Sequence, residues 1–130
     1  MRRIRWLSSA GVIAIHNELI VRYGGLWGLR AHTSLESALA RPKHLAADRP
    51  HVTVPELAAG YSWGLLRSHP FVDGNKRIAL AAMVVFLQMN DWELTCSEAE
   101  ETAMVLRAPA GDINETAWVA WVVRNARKKR

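Results

Sequence analysis

The chain has 130 residues, half of them hydrophobic and six of them tryptophan, which fits one folded domain over residues 1–130 and excludes a disordered protein. A single cysteine, Cys96, excludes an internal disulfide and a cysteine-based zinc site, and it favours a reducing cytoplasm as the location. The formal net charge of +5 favours acidic partners, but much of the excess lies in residues 1–5 and 124–130, where we expect solvated tails.

Helix-capping and helix-breaking residues predict two helices in the first third of the chain. Ser9 is positioned to cap the first helix, and the two glycines at residues 24–25 end it. Thr33 begins a capping-box pattern that opens a short second helix, which Pro42 ends. Residues 41–53 (RPKHLAADRPHVT) are the least regular stretch of the chain, and an ordinary connector is their default interpretation.

The middle of the chain predicts two helices joined by a loop that is rich in polar residues. Thr53 begins another capping box and opens a helix that runs to about Ser68. Residues 69–77 (HPFVDGNKR), here called the 69–77 loop, form the connection. The next helix, about Lys76 to Met89, is apolar all round, which is typical of a buried central helix. Its apolar run is about half as long as a membrane span, so we expect no membrane association.

The last third of the chain predicts a short strand and two further helices. After a turn at residues 90–91, residues 92–96 suit a brief strand. Ser97 caps a helix that extends to about Arg107, and Asn114 caps a final helix. The predicted fold is therefore all-α, a compact bundle of about six helices around a central buried helix.

The 69–77 loop combines residue types that suit phosphoryl or nucleotidyl transfer. His69 is able to take a proton from an attacking hydroxyl, since imidazoles accept protons near neutral pH. Asp73 offers the carboxylate oxygen that magnesium prefers. Gly74 permits a positive φ and leaves room for an anion. The backbone N–H groups of about residues 74–76 open a helix, where phosphates bind.

The other residues of the loop fit the same interpretation. Lys76 and Arg77 neutralise charge that builds up on phosphates, and Asn75 either donates to a phosphate oxygen or orients the loop. Phe71 is expected to point into the core and hold the loop's shape. A solvated turn explains any one of these residues, but it does not explain two cations at a helix N-terminus, where positive charge is unfavourable. A bound anion removes that conflict.

The HPFVDGNKR segment resembles the signature loop of the Fic/Doc superfamily and is most similar to its Doc (death-on-curing) toxin branch. Residues 21–26 (VRYGGL) and 86–91 (FLQMND) are also similar to that family, so the resemblance covers about residues 4–123. It implies a Fic-like helical bundle with an irregular or β-hairpin flap, and we place that flap in residues 41–53.

The resemblance implies a role for each matched residue. His69 resembles the catalytic histidine that activates the target hydroxyl, and Asp73 resembles the acidic residue that binds magnesium. The other implied roles are binding the nucleotide phosphates (Gly74, Asn75, Lys76, Arg77), supporting the site (Arg67, Phe71) and aligning the target protein through the flap (Lys43, His44, Leu45).

Two positions indicate which reaction the resemblance implies. AMP-transferring Fic enzymes carry glycine where this chain has Lys76, and a second arginine where it has Leu80. In Doc the same lysine accompanies a nucleotide that binds in the reversed orientation, so that the γ-phosphoryl group and not AMP is transferred. The resemblance therefore implies a protein kinase that uses ATP and Mg²⁺. The implied target is elongation factor Tu, with inhibition of translation, and AMP transfer is the alternative. Ala81 and Gln88 replace polar or charged residues of Doc and leave nucleotide affinity open.

The resemblance also implies control by a second protein. Many Fic enzymes inhibit themselves with a helix of pattern Ser/Thr-x-x-x-Glu-Gly/Asn, and the nearest segment here, Ser97 to Glu101, is followed by Thr102. We therefore expect a cognate antitoxin, and the basic charge suits an acidic segment of it. Two rival hypotheses are a basic nucleic-acid-binding module that uses residues 124–130, and a catalytically inactive family member. The leading hypothesis requires neither nucleic acid nor a membrane.

Overall fold

The computed structural model describes residues 3–108 and 110–129, and within these ranges it contains six helices and two short strands. The elements are α1 (Ser9–Tyr23), α2 (His32–Asp48), α3 (Val54–Ser68), α4 (Asn75–Met89), β1 (Trp92–Leu94), α5 (Glu98–Arg107), α6 (Glu115–Arg124) and β2 (Ala126–Lys128). The predicted all-α bundle of about six helices is confirmed. Among the residues described, no helix has the length and apolar character needed to cross a membrane.

Four helices begin where capping residues were predicted, to within one residue. The side chain of Ser8, one position before the predicted Ser9, caps α1. Thr53 forms the full capping box of α3, while Ser97 and Asn114 cap α5 and α6. Each cap accepts a hydrogen bond from an N–H group that has no partner within its helix, which explains why short local patterns locate these starts.

The second helix is longer than predicted, because Pro42 lies inside α2 and does not end it. Pro42 is buried against α3, where a Cβ added to Gly60 would lie 3.6 Å from the proline Cγ. A Cβ on Gly64, one turn further along, would lie 3.4 Å from that of Ala38. This close packing of α2 on two glycines offsets the hydrogen bond that the proline removes. The predicted irregular or β-hairpin flap at residues 41–53 is therefore wrong, since residues 41–48 are helical.

The central helix is α4, which packs against α1, α3, α5 and β1. None of residues 78–87 is exposed, which confirms the predicted buried central helix. Its main neighbour is α3, in which all of residues 57–66 are buried. Residues 69–74 of the 69–77 loop therefore connect two helices that pack in the core, and residues 75–77 form the first turn of α4. The bulkiest fully buried side chains in the described part of the chain are Trp118, Tyr61, Phe71 and Phe86.

Described residues near both ends of the chain are anchored where the sequence suggested solvated tails. Strand β2 pairs antiparallel with β1, placing Arg127 opposite Glu93, and their side chains form an ion pair with nitrogen and oxygen 2.6 Å apart. At the other end, the side-chain amide of Asn90 bonds both the N–H and the carbonyl group of Arg5. The tail prediction is therefore wrong for these segments, while residues 1–2 and 130 of the predicted tails lie outside the described residues.

Candidate active site

The 69–77 loop leaves α3 and enters α4 through two residues with left-handed backbone. His69 ends α3 with φ 47° and ψ 58°, and Gly74 precedes α4 with φ 75° and ψ 19°. Glycine adopts this conformation without cost, as expected for Gly74. A histidine adopts it at a cost that surrounding contacts must offset, and such residues are frequent at functional sites. The strained residue is the one that the sequence singled out as the proton acceptor.

The loop is braced from inside by Asn75 and Phe71. The Asn75 side chain accepts from the Phe71 N–H at 3.0 Å and donates to the Phe71 carbonyl at 2.9 Å. Of the two roles considered for Asn75, these bonds correspond to orienting the loop. The Phe71 ring is 1% exposed and stacks on the buried His16 ring, with centroids 3.8 Å apart. Nε2 of His16 also lies 2.7 Å from the carbonyl oxygen of Asp73, so His16 supports the loop at two points.

A second segment, residues 24–31 (GGLWGLRA), lies against the outside of the loop, and we call it the strap. The N–H of Val72 donates to the Gly28 carbonyl at 3.0 Å, and the N–H groups of Arg30 and Ala31 both donate to the Pro70 carbonyl at 2.8 and 3.0 Å. These bonds form an isolated antiparallel bridge between strap and loop. The segment beside the loop is therefore the strap, which follows α1, whereas the flap was predicted at residues 41–53.

The residues assigned to the flap lie elsewhere. Lys43, His44 and Leu45 belong to α2, and His44 and Leu45 line a separate groove that also contains Glu56 and Val119. They were assigned to a flap because α2 was expected to end at Pro42, and the structure instead continues the helix through them. The strap carries a signal that sequence reasoning missed, since three glycines within five residues are typical of a backbone that approaches another closely.

Asp73 joins the strap to the loop. One carboxylate oxygen accepts from the Leu26 N–H at 3.0 Å, and the other accepts from the Gly74 N–H at 2.8 Å. These two backbone bonds, aided by the charge of Arg77, lower the pKa of Asp73 below its ordinary value. The carboxylate is therefore charged at neutral pH.

The residues present fit a magnesium ion that is shared with phosphates. Magnesium is usually held by one or two carboxylates and completes its shell with phosphate oxygens and water. Asp73 offers one exposed carboxylate whose oxygens each keep a free lone pair beyond the bond described above. Within residues 3–108 and 110–129, no group of three or more His, Cys, Asp or Glu side chains forms a metal cage of protein atoms alone.

Residues of the loop line an open hollow of about 390 Å³ at the start of α4. Because the residue before α4 is glycine, no side chain caps the first N–H groups of this helix. The Lys76 and Arg77 side chains are exposed at the same helix end, and the Arg77 guanidinium lies 5.1 Å from the centre of the Tyr23 ring. Uncapped N–H groups and two cations together form a site that suits an anion. The residues that line the hollow are His69, Val72, Asp73, Gly74, Asn75, Lys76 and Arg77.

Arg67 lies apart from this hollow. Its guanidinium is 5.8 Å from the centre of the Trp63 ring, and it lines a groove between α2 and α3 with Ser37 and Gly64. The arginine that contacts the loop is Arg30 of the strap, whose Nη2 donates to the His69 carbonyl at 2.7 Å. Sequence reasoning missed Arg30, because the two residues are 39 positions apart and belong to no common motif.

Comparison with known proteins agrees with this geometry. A family model described as the Fic/DOC family matches residues 6–87, which is more than half of the chain. The chain is 32% identical over 111 residues to the protein kinase doc of Escherichia phage P1, covering 85% of this chain and 87% of that protein. It is 38% identical over 87 residues to the toxin Doc of Mycolicibacterium smegmatis, covering 66% of this chain and 61% of that protein. The chain therefore belongs to the Fic/Doc family.

Proposed function

We propose that this protein is a Doc-like toxin that transfers the γ-phosphoryl group of ATP to a hydroxyl group of a target protein. The hollow beside His69 supports this most directly, because Asp73, Lys76 and Arg77 line it where α4 begins without a cap. A polyphosphate in this hollow meets backbone N–H groups, the positive end of a helix dipole and two cations. The similarity to a phage protein that is named a protein kinase agrees with the proposal.

In the proposed reaction, the His69 imidazole accepts the proton of the target hydroxyl as its oxygen attacks the γ-phosphorus. A bond forms between these two atoms, the bond to the β–γ bridging oxygen breaks, and ADP leaves with the electron pair. The first N–H groups of α4 and the Lys76 and Arg77 side chains stabilise the charge on the phosphate oxygens. Asp73 would hold a magnesium ion, which neutralises part of the phosphate charge.

Exposed apolar side chains on the strap and on the 69–77 loop favour a protein as the second substrate. Leu26 and Trp27 on the strap are 65% and 57% exposed, and Val72 on the loop is 49% exposed. Large apolar side chains grouped in this way are typical of protein contact surfaces. We propose a cytoplasmic target and, on the family resemblance, elongation factor Tu, whose modification would inhibit translation.

A cognate antitoxin is the second partner that we propose. The relative from Mycolicibacterium smegmatis is named a toxin, and an active toxin requires a means of restraint in the cell that makes it. The net charge of +5 suits an acidic segment of the antitoxin. Co-expression of a neighbouring gene product should relieve the toxicity of this chain.

Two sequence departures from Doc bear differently on the proposal. Gln88 lies near the end of α4, thirteen residues after Asn75, which is about 20 Å along the helix axis at 1.5 Å per residue. It is therefore too far away to contact phosphate groups bound at the start of α4. Ala81 is half-buried in the middle of α4 and is closer to the hollow along the helix axis than Gln88 is.

The reaction is tested by supplying ATP labelled at either the γ or the α phosphate, together with purified elongation factor Tu. We expect γ label on the target and none with His69→Ala. Label from the α phosphate would establish AMP transfer instead. Absence of both labels, with salt-dependent nucleic-acid binding that survives His69→Ala, would support the nucleic-acid-binding alternative.

A further inference from the structure

Arg30 contacts two successive carbonyl groups of the 69–77 loop. Its side-chain Nη2 donates to the His69 carbonyl at 2.7 Å, and its backbone N–H donates to the Pro70 carbonyl at 2.8 Å. The N–H of Ala31 donates to the same Pro70 carbonyl at 3.0 Å. Arg30 of the strap therefore forms hydrogen bonds with the carbonyl groups of two successive loop residues, His69 and Pro70.

These contacts fall where the backbone of His69 needs support. Its left-handed conformation is unfavourable for a residue with a side chain, and the proline that follows restricts it further. The bond from its own N–H back to Leu65 is long, at 3.3 Å. Rotation about ψ of His69 moves its carbonyl oxygen, so the Arg30 bond to that oxygen restricts ψ of His69. Because the proline ring fixes φ of Pro70, the bonds to the Pro70 carbonyl restrict the one backbone rotation left there, ψ of Pro70. Together these bonds hold the backbone from which the imidazole extends.

The position of the Arg30 charge adds to the effect. His69 is the C-terminal cap of α3, so its carbonyl lies at the negative end of the helix dipole. A guanidinium there makes a charge-assisted hydrogen bond, which is stronger than one between neutral groups. A lysine at position 30 would keep the positive charge and an N–H donor group. A methionine would keep a long side chain but remove the charge and the donor.

We propose that Arg30 is a positioning residue for His69, holding the histidine backbone in the left-handed conformation that places its imidazole at the hollow. This inference rests on the proposed function in so far as His69 is the proton acceptor. Arg30 touches neither substrate nor phosphate in this role, and it acts through the His69 carbonyl.

The experiment compares Arg30→Met, Arg30→Lys and the control Arg124→Met, which removes the same side chain from the last turn of α6. For phosphoryl transfer we expect Arg30→Met to lower kcat about 100-fold, with KM for ATP and target within about twofold of wild type, since small misplacement of a reacting group has effects of this size. The kcat of Arg30→Lys should be at least tenfold higher than that of Arg30→Met, and Arg124→Met should behave as wild type. A loss that appears in KM, or that lysine fails to recover, overturns the proposal.

A second measurement separates positioning from activity. The ¹³C shifts of the His69 Cα and carbonyl report its φ and ψ in the free protein, and they should move toward ordinary values in Arg30→Met but not in Arg124→Met. Unchanged His69 shifts in Arg30→Met overturn the inference whatever the activity. Shifts that move as expected in a protein without phosphoryl or nucleotidyl transfer would sustain the role of Arg30 in holding His69 and would contradict the proposed function alone.

Discussion

The backbone N–H of Leu26 donates to the Asp73 carboxylate at 3.0 Å, which connects the strap to the loop that carries the candidate catalytic residues. The two residues are 47 positions apart, so the bond depends on the packing of α1 against α4. Asp73 therefore lines the hollow and, through the same carboxylate, also bonds the strap. Changes on either side of this bond should therefore affect both the strap and the carboxylate that we propose as the magnesium ligand.

Replacing Gly25 should disturb Asp73, whereas replacing its neighbour Gly24 should not. A Cβ on Gly25 would lie 2.7 Å from Oδ2 of Asp73, while a Cβ on Gly24 would meet nothing within 4 Å. Both glycines have positive φ, so the backbone strain of an alanine is common to the two variants. We expect Gly25→Ala to be about 1–3 kcal/mol less stable than Gly24→Ala, as for overpacked sites, and to need more Mg²⁺ for half-maximal phosphoryl transfer. Denaturant unfolding and a magnesium titration measure the two effects, and equal behaviour of the variants would contradict the contact.

The Asp73 carboxylate should stabilise the fold in a pH-dependent way. Its pKa is lowered in the folded protein by the Leu26 and Gly74 N–H groups, so the folded state favours the charged form. The stabilisation is therefore complete well above the ordinary pKa of 3.8 and is lost as the pH falls through the lower folded value. Thermal melts of wild type and Asp73→Asn between pH 7 and pH 2 should differ most at neutral pH and converge in acid. A difference that grows as the pH falls would refute this assignment.

Removing the His69 imidazole should stop the reaction and leave the fold intact. The side chain lines the hollow and is half-buried, and the residue does not belong to the core. Loss of a general base lowers rates by about 10²–10⁴-fold. We expect His69→Ala to show that loss in γ-phosphoryl transfer, to relieve growth inhibition, and to melt within a few degrees of wild type. Full toxicity of His69→Ala would contradict the enzymatic proposal.

A buried hydrogen bond between α3 and α6 should contribute to stability alone. The Trp118 indole N–H donates to the Ser62 hydroxyl at 2.8 Å, and both residues are fully buried. Ser62→Ala leaves the indole N–H without this acceptor, which costs about 1–3 kcal/mol. Urea unfolding should show this decrease, while kcat and KM for phosphoryl transfer stay at wild-type values because the bond lies in the core, outside the hollow. An activity loss larger than the loss of folded protein would show coupling between the core and the site.

Local signals in the sequence were sufficient for most helix boundaries and for the loop. The capping box at Thr53 works through atoms three residues apart, and α4 is recognised as buried because its apolar run leaves no polar face. The candidate residues of the hollow, from His69 to Arg77, are contiguous in the chain, so their proximity required no knowledge of the fold. Pro42 was misread because its local effect is to end helices, and only packing against Gly60 shows why α2 continues.

The sequence alone therefore determined the helical class, the central helix and the set of polar residues in the loop, since each depends on residues within a few positions of one another. The tertiary structure alone decided what holds that loop: His16 beneath Phe71, Leu26 on Asp73 and Arg30 on His69. These partners are 39 to 57 positions apart, and no short pattern specifies such pairings. They form because the core brings α1, α3 and α4 together, which places the strap against the loop.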